Sequence, residues 1–65
     1  MNEKQKVFRR YLLKGVEGHH GDMVQAIVWC QNHFGSLLKS ERDSIQKLSS
    51  RERNAVIREI LQFDN

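Results

Sequence analysis

Apolar residues recur at helical spacing in three strong stretches of the chain and in a weaker fourth. The most continuous stretch is Met23 to Phe34, MVQAIVWCQNHF. At about 100° per residue, Met23, Ala26, Ile27, Cys30 and Phe34 form one side and Val24 and Val28 widen it. Trp29 and His33 carry apolar surface round the other flank, leaving Gln25 and Asn32 as a polar strip. A helix that is apolar nearly all round is normally buried, so this segment is expected to be the central and most buried helix. The run from Ala26 to Cys30 would also suit a β-strand, but the absence of glycine and proline from the whole stretch favours a helix.

From Glu3 to Val16 the apolar positions Val7, Phe8, Tyr11, Leu12 and Val16 define an amphipathic helix. Gly15 falls within that apolar half, where it either admits a close neighbour or weakens the last turn, and the nearness of Gly18 favours fraying. Three of the four glycines lie in GVEGHHG, Gly15 to Gly21, which reads as a loop. Asp22 then suits the N-cap of the central helix and Gly35 its C′ position. In Ser36 to Leu48 the residues Leu37 or Leu38, Ile45 and Leu48 predict a short helix over about 41–48, with Ser40 and Asp43 as a capping box. Ser49 and Glu52 form a second box, which predicts a last helix from near Ser50 to Gln62 or Phe63. Its apolar face is Val56, Ile57, Ile60, Leu61 and Phe63. The expected fold is all-α: a small helical bundle of three main helices plus a short connecting helix, in a single domain over residues 1–65.

Composition changes the picture in two respects. A chain of 65 residues buries only about 60% of the surface its unfolded form exposes, and Cys30 is the only cysteine, so no internal disulfide supports the core. Stability then points to association, and a homodimer is expected. A lone free thiol also fits a reducing compartment, so a cytoplasmic location is expected. No run approaches the roughly 20 apolar residues of a membrane span, and the opening MNEKQK lacks the apolar core of a signal peptide, so no membrane role is expected.

Charge is uneven along the chain. Residues 1–16 hold five cations against Glu3 alone, a net +4, while six cations meet seven carboxylates in the remainder, a net −1. Lys6, Arg9, Arg10 and Lys14 share the polar side of the first helix, a basic stripe suited to phosphates or to an acidic protein. A solvated face accounts for the same letters.

Candidate chemistry is sparse. His19 and His20 in the loop, with Cys30 and His33 three residues apart, are zinc-binding residue types. Adjacent loop imidazoles converge poorly on one ion, however, and Cys30 lies on the most apolar side of its helix, so neither a metal nor another cofactor is expected. A Cys30–His33 nucleophile pair meets the same objection, because apolar surroundings raise a thiol pKa. With no glycine-rich phosphate loop and no paired carboxylates at a catalytic spacing, the chain is not expected to be an enzyme.

The segment LSSRERNAVIREIL resembles the opening helix of LuxR-type DNA-binding domains through Leu48, Ser49, Arg51, Glu52, Arg53, Val56 and Ile57. It covers under a quarter of the chain, and the turn and recognition helix that follow in that family have no counterpart before Asn65. A capping box and an amphipathic helix explain the same residues, so the family is not assigned. The expected function is that of a small regulatory or accessory protein, of bacterial or phage type, acting by protein–protein binding. Phe8, Leu12, Trp29 and Phe63 are the expected interface residues, since the chain holds more apolar helix surface than one small core absorbs and aromatic residues dominate interface hot spots. The alternative is nucleic-acid binding through Lys6, Arg9, Arg10 and Lys14.

Overall fold

The computed structural model describes residues 1–63, with side chains through Gln62. Four α-helices and one 3-10 turn follow in order, with no strand among the described residues. This is the expected small all-α fold.

Helix α1, Glu3–Gly18, opens with a capping box. Asn2 accepts from the Gln5 N–H at 2.8 Å, and the Gln5 side chain accepts from the Asn2 N–H at 3.0 Å. The helix runs two residues beyond the expected Val16, and the loop shrinks to a tight turn. There His20 (φ 57°) and Gly21 (φ 84°) both take left-handed conformations, and the Gly21 N–H donates to the Val16 carbonyl at 2.9 Å. Helix α2, Met23–His33, starts at the expected cap, with the Asp22 carboxylate accepting from the Gln25 N–H at 3.1 Å. It does not end on a left-handed Gly35. The chain tightens instead into the 3-10 turn Phe34–Ser36, and the Ser36 hydroxyl donates to the His33 carbonyl at 2.6 Å.

Helix α3 is Lys39–Gln46, starting and ending two residues before the expected 41–48. Its first turn is held by Glu41, which accepts from the Leu38 N–H at 3.2 Å, so the Ser40–Asp43 box is not its cap. Leu37 is half-buried while Leu38 stays exposed. Helix α4, Ser50–Phe63, has the expected Ser49–Glu52 box, with bonds of 2.9 and 3.2 Å in the two directions. The Ser49 N–H, followed by the Asn2 amide, holds the Glu52 carboxyl below its ordinary 4.5.

The organising helix is α1, and the expectation that Met23 to Phe34 is the most buried element is corrected. Tyr11, Leu12, Gly15 and Val16 of α1 are buried, against only Ala26 and Cys30 of α2. Close packing pairs α1 with each of α2, α3 and α4. Helix α2 lies antiparallel to it: Gly15 meets Ala26 and Trp29, and the Tyr11 hydroxyl donates to the Cys30 carbonyl at 2.7 Å. Helix α4 lies parallel: Asn2 and Gln5 reach Glu52, and Arg9 reaches Glu59 at 2.9 Å. An apolar circumference states how much surface a helix can bury, whereas burial depends on how many neighbours arrive. Helix α2 packs on α1 and on the turn that follows it, so its outer side faces solvent.

Gly15 is likewise not a fraying site. A Cβ there would stand 3.1 Å from the Ala26 carbonyl oxygen and 3.2 Å from Trp29 Cε3, so the residue permits the close crossing of α1 and α2. No helix among the described residues is long and apolar enough to cross a membrane.

Candidate functional site

The outward side of α2 carries apolar residues that the described part of the chain does not cover well. Val24 is 71% exposed and Val28, one turn later, 48%. No Lys, Arg, Asp or Glu occurs between Asp22 and Lys39, so this exposed strip is also free of fixed charge. Large apolar side chains held outward on a rigid helix, without interrupting charges, are a usual mark of an interaction surface.

Beside the strip, an open cleft of about 540 Å³ runs between α2 and α4. Phe8 and Tyr11 of α1 form its floor above the fully buried Leu12. One wall is Ile27, Cys30 and Gln31 of α2 with Phe34 at the start of the 3-10 turn, and the other is Ser50, Arg53, Asn54 and Ile57 of α4. Ile45 and Gln46 of α3 complete the lining. Both walls repeat at i, i+3, i+4 and i+7, the positions that share one face of a helix. The cleft exists because α2 and α4 each pack on α1 without packing closely on each other.

The expected interface residues fall in different places. Phe8 is half-buried at the cleft floor. Leu12 is fully buried in the chain's own core and offers a partner no surface, which corrects its assignment as an interface residue. Trp29 is half-buried on the opposite flank of α2 from the strip, its ring 5.6 Å from that of Tyr11 and stacked at 4.6 Å on that of His33. The side chain of Phe63 lies outside the described residues.

The basic stripe is weaker as a site than its letters suggest. Arg9 is bound to Glu59 and so ties α1 to α4. Lys6 pairs with Glu3 at 3.5 Å, and Arg10 and Lys14 are exposed. Glu3 and Glu17 lie on the same outer face as Lys6, Arg10 and Lys14, which leaves that face only slightly positive.

The candidate metal residues are dispersed. A carbonyl oxygen only accepts, so His19 donates from Nδ1 to the Gly15 carbonyl at 2.8 Å, and His33 from Nδ1 to the Trp29 carbonyl at 2.9 Å. Each ring serves its own helix, and His20 is exposed in the turn. Cys30 is buried, its thiol directed at the Tyr11 carbonyl and pushed up to about 11 by loss of water. No group of three metal-ligating side chains forms among the described residues.

Reading helical patterns alone missed the strip and the cleft. The available signal was the missing charge between Asp22 and Lys39, which marks a surface as readily as a core. No protein-family model, curated protein or solved structure matches the chain.

Proposed function

We propose that this chain is a small non-enzymatic binding protein of regulatory or accessory type that acts through protein–protein contact at the outer side of α2. The supporting observation is the charge-free apolar strip of Val24 and Val28, exposed on a helix whose other side is already spent on the core. The first partner of the strip is a second copy of the chain, because two α2 strips meeting across a two-fold axis bring no like charges together. A partner of different sequence extends the same logic. Nucleic-acid binding through α1 is the weaker reading, since Arg9 is engaged and two carboxylates dilute the remaining cations.

The test uses the tagged full chain, in native-like lysate with and without nuclease treatment, alongside two variants. Val24→Glu with Val28→Glu alters exposed positions, so circular dichroism and melting should be retained while protein capture is lost. Arg10→Glu with Lys14→Glu should leave capture intact. Capture that survives the first pair and disappears with the second, or with nuclease, overturns the proposal.

A further inference from the structure

The cleft is a different surface from the strip, and its chemistry points to a different occupant. Its walls repeat the spacing with which a partner helix presents its own anchors, and each spans about 10 Å, two helical turns. Among the described residues, Arg53 is the only charged one in the lining, and no carboxylate lines it. One Arg53 nitrogen is anchored on the Leu48 carbonyl at 3.0 Å, which fixes the guanidinium at the edge of an apolar trough. Around the rim Gln31, Gln46, Ser50 and Asn54 bring side-chain donors and acceptors.

We infer that the cleft between α2 and α4 receives an acidic amphipathic helix from a partner protein, its apolar stripe on Phe8, Ile27 and Ile57 and a carboxylate on Arg53. This rests on the protein-binding reading above and names the partner class for a second surface. Charge selects the occupant. The chain carries a net +3, and the exposed charged side chains of α4 are all arginines, Arg51, Arg53 and Arg58. A second copy offering α4 would therefore set like charge against Arg53. A carboxylate-bearing helix meets the guanidinium with a charge-assisted hydrogen bond, and the rim amides can satisfy its flanking polar groups.

The probe is a synthetic helix-forming peptide with apolar residues at i, i+3, i+4 and i+7 flanked by glutamates, added to the full chain. It is compared with the same peptide carrying lysines for the glutamates, with a scrambled version, and with laurate as an apolar monocarboxylate that is not a helix. The glutamate peptide should shift the NMR signals of Ile27, Gln31, Arg53 and Ile57 and bind about tenfold more tightly than the lysine peptide. Arg53→Glu should reverse that order. Gln31→Glu, an exposed change on the opposite wall that leaves the Arg53 anchor in place, should weaken the glutamate peptide without altering melting. Shifts outside the cleft, no preference for the acidic peptide, occupation by laurate but not by peptide, or concentration-dependent shifts of the same residues without peptide would each overturn the inference. Protein capture lost with the Val24 and Val28 pair, combined with any of those results, removes the cleft proposal and leaves the strip standing. Capture unaffected by that pair removes the strip instead, and the peptide result then decides the cleft on its own.

Discussion

Cys30 lies at the point where core and cleft meet, and its environment decides what the thiol can do. Removal of water favours the neutral form, so the thiol loses its proton near 11 in place of the ordinary 9.0. At pH 8 the folded protein then holds about a hundredfold less thiolate than an unperturbed cysteine. A disulfide-exchange reagent should modify native Cys30 far more slowly than the urea-unfolded chain at that pH; equal rates would show that the thiol is accessible and not held in its neutral form. The sign of the linkage follows from the same shift. A folded pKa raised above the unfolded one adds stability that is complete below pH 9 and disappears as pH climbs through 11. Tyr11, also raised, first by burial and then by the neighbouring Cys30, acts in the same direction. The urea midpoint should therefore fall between pH 9 and 11, and fall less in Cys30→Ala, whose own neutral-pH midpoint serves as its baseline.

Among the elements, the crossing of α1 and α2 is the most demanding sterically, and two glycines of α1 separate the causes. At Gly15 an added Cβ meets backbone atoms of Ala26 at 3.1 and 3.3 Å as well as the Trp29 ring, so the helices must part. Overpacking of this kind costs about 1–3 kcal/mol, more than the roughly 0.5–1 kcal/mol that alanine contributes over glycine inside a helix. A Cβ added at Gly18 would meet nothing within 4 Å, and the backbone angle there is ordinary, so alanine meets no such opposition. Gly15→Ala should lower the urea midpoint and Gly18→Ala should hold or raise it; a shift in the same direction for both would mean that helix propensity, and not the crossing, governs the site. The contrast also shows what the amino-acid order makes legible. Caps at Asp22 and at Ser49 with Glu52 were readable because three-residue hydrogen bonds are local. The Asn2–Gln5 box was readable in principle, since it has the same spacing. The role of Gly15 and the tie between Arg9 and Glu59 depend on which helices meet, and no local pattern encodes that. Apolar periodicity found the helices but could not tell α1, enclosed by three neighbours, from α2, whose surplus faces outward.

For the whole molecule, the arrangement of three helices on α1 leaves two surfaces with different physics. The cleft contains a fixed cation, so its occupancy should weaken as salt screens Arg53 from a carboxylate. The α2 strip contains no charge, so association through it draws on apolar burial, which salt does not screen and which excluded salts such as sulfate strengthen. A 65-residue chain without an internal disulfide has reason to use that burial, because covering Val24 and Val28 between two copies removes from water two of the large apolar side chains the fold itself leaves exposed. Sedimentation of the full chain at micromolar concentration should give twice the 7.7 kDa chain mass, with the dimer fraction unchanged or increased as salt rises. Val24→Glu with Val28→Glu should sediment as a folded monomer, since both positions are exposed and the new carboxylates would be forced together only in the dimer. A wild-type chain that stays monomeric throughout that range, or a dimer that survives both glutamates, would detach self-association from the strip.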